Sequence, residues 1–233
     1  NSERGDMYNL YIDGQYWGIY NTAERPEADY AVSYWGGTTD DYDVVKVDPQ
    51  SNYTILATDG NMTGWNAFWN LANQLRSAAD LGQDTTALYQ KMQGNNPDGT
   101  RNPAYPVYLD AKNLIDYLLT IYYTGNLDAP ISNFISNTSP NNFYAIYNHT
   151  TKNMGFQYFA HDSEHTLLDV NANRLGPFTA GVSDITRGNP QEIFQQLLYN
   201  ADFRTLVADR IHKYFYNNGV LTPAQNLARF NAR

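Results

Sequence analysis

The chain has 233 residues, a formal net charge of −9 and an isoelectric point near 4.7. An acidic balance of this size argues against nucleic acid as a partner, because affinity for a phosphate backbone comes largely from clustered Lys and Arg. The absence of cysteine excludes thiolate metal sites, thiol nucleophiles and disulfide scaffolds, and no apolar run approaches the ~20 residues needed to cross a bilayer.

Charged residues make up only 17% of the chain while Tyr reaches 20, so the surface is expected to be rich in neutral polar and aromatic groups. Such a surface leans towards an extracellular or cell-surface setting. The chain opens without methionine or signal peptide and closes on Asn231-Ala232-Arg233, so it reads as a piece of a longer protein, truncated at both ends.

Tyr8 to Ile12 and Tyr16 to Asn21 alternate around Asp13-Gly14. Asp-Gly between alternating aromatic runs signals a hairpin, since the turn needs positive φ. Pro26 then starts a short helix through Ala28, Ala31, Val32 and Trp35, stopped by Gly36-Gly37. Val44 to Val47 reads as a brief strand. From Trp65 the period becomes helical, through Trp65, Phe68, Trp69, Ala72 and Leu75, then Leu88 and Met92. After a break at Asn95–Gly99, Asp110 caps a helix carrying Leu114, Ile115, Leu118, Leu119 and Tyr122. Strands follow near Phe143–Asn148 and Met154–Phe159. In the tail, Asn189-Pro190-Gln191-Glu192 approaches a capping box for a helix that Asn217-Asn218-Gly219 ends, and Thr222-Pro223 starts another. The class is α+β: a small β-rich lobe over residues 1–60 and a mainly helical lobe over 61–233 with a central β-hairpin, together one domain.

Polar residues with chemical potential stand around that central hairpin. Asp128 follows a long apolar helix, where a loop fixed by a rigid element can orient a hydroxyl; Gly125-Asn126 is equally an ordinary helix ending. Asn141-Asn142 could offer an amide oxygen to Mg²⁺ or simply form a turn. His161-Asp162-Ser163-Glu164-His165 puts two acids and two imidazoles in five residues directly after a strand. The pentad also matches H-x-x-E-H, an inverted zinc-peptidase motif that works only on a helix. Glu24 after the first hairpin and Lys46 on the next strand provide the parts of a phosphate-binding pair, or of an unremarkable surface ion pair.

These segments resemble the CotH family, the spore-coat-protein-H-like atypical protein kinases. The likeness begins at Tyr8-Asn9-Leu10-Tyr11-Ile12-Asp13-Gly14-Gln15-Tyr16-Trp17-Gly18-Ile19-Tyr20 and the acid Glu24. It resumes at Asn126-Leu127-Asp128, at Asn141-Asn142-Phe143-Tyr144 and at Phe159-Ala160-His161-Asp162-Ser163-Glu164. The resemblance implies an atypical kinase fold that uses ATP and Mg²⁺ to phosphorylate a protein hydroxyl at a cell surface or in an extracellular structure. It also implies roles: Asp128 as the catalytic-loop aspartate, Asn142 (or Asn141), Asp162 and Glu164 as metal ligands, and Glu24 and Lys46 as nucleotide-binding residues. His161 stands where the family carries tryptophan and Glu164 where it carries a second aspartate, and the Pro130–Pro140 link is long. A catalytically inactive surface, adhesion or glycan-associated module of the same fold is the second reading, and a zinc peptidase through His161, Glu164 and His165 the third.

Overall fold

A computed structural model describes residues 4–180 and 186–232. The chain runs β1 (Gly5–Ile12), β2 (Gln15–Ala23), α1 (Ala28–Trp35), β3 (Tyr42–Asp48), β4 (Thr54–Asp59), α2 (Thr63–Asp80), α3 (Thr86–Met92) and α4 (Ala111–Thr124). It continues through β5 (Phe143–Asn148), β6 (Gln157–Ala160), α5 (Pro190–Leu197), α6 (Ala201–Phe215) and α7 (Pro223–Asn231). The fold is mixed α+β, as expected.

β1 and β2 form a separate antiparallel ribbon, whereas β4, β3, β5 and β6 form one antiparallel sheet in that order. The central hairpin is therefore continuous with the strands that precede residue 60, because β3 pairs with both β4 and β5. Successive strand side chains alternate between faces, and both faces of this sheet are covered. Val45, Val47, Phe143, Ala145 and Tyr147 pack against Trp65, Phe68 and Trp69 of α2 and Leu114, Ile115 and Leu118 of α4. Tyr42, Val44, Tyr144 and Ile146 pack with Phe159 against Ala28 and Ala31 of α1. Five aromatic or aliphatic residues in a row, Phe143 to Tyr147, are accordingly buried.

Local chemistry sets the boundaries. Asp110 caps α4 by accepting from the Asn113 N–H at 3.0 Å, and Gly125 ends it in the left-handed region. Asn113 Oδ1 in turn accepts from the Tyr158 N–H at 2.7 Å, satisfying a donor of edge strand β6. Asn189 caps α5 by accepting from Gln191 and Glu192.

Four expectations shift. β4 pairs with β3 although its sequence was not read as a strand. α1 takes Glu27 as N-cap, which leaves Pro26 just outside the helix. β6 begins at Gln157 because Phe156 bridges Leu109 instead, where Gly155 lies against the Leu109–Asp110 backbone. The single helix expected after Asn189 is two, since Asn200 accepts from the Phe203 N–H and starts α6 anew. No helix among the described residues is long and apolar enough to cross a membrane.

Candidate functional site

Three loops meet at one end of the sheet. The first leaves α4 at Gly125: buried Asn126 accepts from the Asp128 N–H at 2.9 Å, an Asx turn that fixes the direction of Asp128. The second is the Pro130–Pro140 link, which folds back on itself through a 3-10 turn at Asn133–Ile135 and an antiparallel bridge between Ile131 and Pro140. Its length is thus used to return Asn141 and Asn142 to Asp128. The third follows β6, and the Leu127 N–H donates to the His165 carbonyl at 3.0 Å, which docks it on the first.

Asp128 is the hub. Its Oδ2 accepts from Asn141 Nδ2 at 3.0 Å and from Asn142 Nδ2 at 2.9 Å, and its Oδ1 accepts from the Ser132 hydroxyl. The Asn142 amide also reaches the Asp162 carbonyl at 3.5 Å. Both Asn142 and Asp162 adopt positive φ, +46° and +49°, as the tight approach of the loops requires. Asp128, Asn142 and Asp162, far apart in sequence, are brought together.

A cleft of about 220 Å³ opens beside them, bordered by Arg25, Lys46, Asn141, Asn142, His161 and Asp162. Tyr144 forms its floor: Lys46 Nζ lies 3.4 Å from the Tyr144 hydroxyl, Arg25 Nη2 3.5 Å, and the His161 ring stands edge-on at 5.0 Å between centroids. Two cations and one acid thus face one small polar space. Lys46 arrives there because it alternates with Val45 and Val47 on β3, which places it on the α1 side of the sheet.

Two predicted residues are placed elsewhere. Glu24 accepts from the Tyr34 hydroxyl at 2.6 Å and makes no ion pair with Lys46 among the described residues. Glu164 is exposed and lies 3.3 Å from His165 Nε2, outside the lining of the cleft. The zinc-peptidase spacing loses its basis, since residues 161–165 form no helix. His161 packs on Tyr144, whereas His165 packs on Phe134. Among the described residues no group of three or more His, Asp or Glu is disposed to hold a metal ion. Mg²⁺ asks for less: it keeps several waters and takes one or two carboxylates together with substrate phosphates. Asn142 and Asp162, an amide and a carboxylate that both border the cleft, have the oxygen chemistry for that demand.

Arg174 is the residue that sequence reasoning missed. It is buried, donates from Nε to the Asn126 carbonyl at 2.9 Å and from Nη1 to Asn137 Oδ1 at 2.7 Å, and reaches the Ile131 carbonyl through Nη2. Burial lowers its pKa, and the nearby Asp128 carboxylate opposes that lowering. One guanidinium thus ties both ends of the Asp128 loop, using a fork of donors that lysine lacks. The visible signal was an arginine followed closely by Gly176-Pro177, which is weak.

No curated protein and no solved structure matches the chain significantly. The family model described as CotH kinase protein matches residues 1–226, so the chain belongs to the CotH kinase protein family.

Proposed function

We propose that this protein is an ATP-dependent atypical kinase that transfers the γ-phosphoryl group to a protein hydroxyl in an extracellular or cell-surface setting. The observation that carries the reading is Asn142, whose amide bonds the Asp128 carboxylate and borders the same cleft as Asp162 and Lys46. In-line transfer forms a bond from the acceptor oxygen to phosphorus, breaks the bond from phosphorus to the β,γ-bridging oxygen, and releases the acceptor's proton. Asp128, held by three donors, orients that hydroxyl and accepts the proton. Lys46 and Arg25 lie where they can neutralise phosphate oxygens, and Asn142 and Asp162 would hold Mg²⁺. Mg²⁺ held there would supply positive charge to offset what develops on the transferred phosphoryl group.

The test is Asp162→Asn with radiolabelled ATP and a generic acceptor protein, followed by thermal melting. Loss of transfer with an unchanged melting temperature is expected; transfer at the wild-type rate would sink the assignment. The missing Glu24–Lys46 pair favours the second reading, a non-catalytic surface module. That reading predicts no thermal shift with ATP and Mg²⁺ together.

A further inference from the structure

Lys46 reaches the cleft without an acid to hold it. The recurring arrangement pairs a phosphate-binding lysine with a carboxylate, but Glu24 accepts from the Tyr34 hydroxyl instead. Asp48, two residues along the same face of β3, accepts from the Ser51 hydroxyl and the Gln50 N–H. Its carboxyl is held below the usual value by that Ser51 hydroxyl first and by Lys46 least. The Lys46 ammonium meets a phenol. Its Nζ lies 3.4 Å from the Tyr144 hydroxyl and 5.4 Å from the centroid of the same ring, within reach of a cation–π contact.

Sheet register makes this pair. Lys46 and Tyr144 stand opposite one another on β3 and β5, and Tyr144 stands opposite Phe159 on β6. Residues so placed have side chains close enough to interact directly. Tyr144 packs with Tyr42, Val44, Ile146 and Phe159 under α1 and is only 2% exposed. The core therefore fixes the ring, whereas a lysine stem has several free torsions to lose. The same hydroxyl lies 3.5 Å from Arg25 Nη2, and Arg25 Nε pairs with Glu27 at 3.1 Å. One core-anchored oxygen thus meets both cations that border the cleft.

The choice of a phenol has an electrostatic consequence. A carboxylate would fix the lysine but also offset its charge, whereas a phenol oxygen accepts a hydrogen bond as an uncharged group. Lys46 is oriented and still presents its positive charge to phosphate oxygens. We propose that Tyr144 is the positioning residue of this cleft, its hydroxyl taking the place of the missing acid and holding Lys46 and Arg25 for an incoming phosphate. The purpose of that role rests on the phosphoryl-transfer reading of the site, but the positioning is measured without transfer.

Tyr144→Phe keeps the packed ring and removes only the hydroxyl. Binding of inorganic tripolyphosphate, followed by calorimetry, should weaken about three- to tenfold, the range of one ordinary hydrogen bond. The lysine supplies a second readout by NMR. The two Hε protons of Lys46 should be inequivalent in the wild type, as in an immobilised side chain, and should average in Tyr144→Phe. The effect must also run through the cations, so Tyr144→Phe should weaken tripolyphosphate binding by a smaller factor in a Lys46→Met background. With ATP and Mg²⁺, KM for ATP should rise while kcat changes less. Wild-type tripolyphosphate affinity in Tyr144→Phe would overturn the proposal, and so would an equal factor in both backgrounds. Averaged Lys46 signals in the wild type, or no tripolyphosphate binding by it, would do the same. Tripolyphosphate binding that depends on Tyr144 in a protein that transfers no phosphate would sink the catalytic reading and leave the positioning role standing.

Discussion

The β1–β2 and β5–β6 hairpins are both alternating runs rich in aromatic residues, yet they live in opposite environments. Tyr8, Tyr11, Trp17 and Ile19 are all more than half exposed, while Phe143 to Tyr147 are at most 2% exposed. The β1–β2 ribbon pairs only with itself; β5 lies between β3 and β6 with helices over both faces. Their turns differ in the same way. Nothing stands within 4 Å of a Cβ built on Gly14. The β5–β6 turn is instead fastened to the α1–β3 connection, with the His149 N–H donating to the Asp41 carbonyl at 3.0 Å and its imidazole on Asp43. In these two hairpins strand formation is thus a local property, whereas stability comes from the layers that cover a strand.

That contrast should be plainest in the core. Phe143→Ala is expected to cost about 3–5 kcal/mol in denaturant unfolding, as for other buried aromatics. Trp17→Ala, on the exposed ribbon, should stay within about 0.5 kcal/mol. Equal losses would break the comparison. Next comes the loop from which β5 starts: Arg174→Met leaves the Asn126 and Ile131 carbonyls without their donor and should cost about 1–3 kcal/mol. If the catalytic reading holds, transfer should fall in kcat more than in KM, because the Asp128 loop loosens while the Lys46 side is untouched.

Glycines sharpen the same point at smaller scale. A Cβ on Gly155 would lie 2.2 Å from the Asp110 nitrogen, so Gly155→Ala should cost about 1–3 kcal/mol through backbone displacement. Gly14→Ala meets open space but has φ +76°, and about 1 kcal/mol of strain should appear only as local fraying of the ribbon. The smallest effect is electrostatic. The Asp41 carboxyl is held below its usual value by the Thr38 N–H first, then by the hydroxyls of Thr150 and Thr38. A depressed folded value means that its stabilisation is present above about 3.8 and lost as pH falls through the lower folded value. Amide exchange in the β5–β6 turn should therefore quicken in that acid window, and Asp41→Asn should flatten the dependence.

Much of the molecule was legible from residues alone. The periods of α2 and α4, the Asp13-Gly14 turn and the Asn189 cap all encode contacts within a few positions, and each took its expected form. Asp128, Asn142 and Asp162 were singled out by their order and by the family resemblance, and the Asn142 amide touches both the Asp128 carboxylate and the Asp162 backbone carbonyl. β4 escaped because Thr54–Asp59 becomes a strand mainly by pairing with β3. Asn200 escaped because an N-cap inside an apolar helical run leaves the period almost unbroken. Arg174 escaped for a different reason: its partners are backbone carbonyls, which carry no sequence signature.

By itself the sequence determined the α+β class, the acidic and cysteine-free chemistry, and the set of polar residues from which a site is drawn. These depend on side-chain type and on short-range periodicity, both of which are written locally. Tertiary structure alone decided that Lys46 faces the cleft while Glu24 turns to Tyr34. It also decided that the long Pro130–Pro140 link returns Asn141 and Asn142 to Asp128. Each of those outcomes rests on strand register and on which layer covers which face, and such long-range pairings are settled only when the whole chain packs at once.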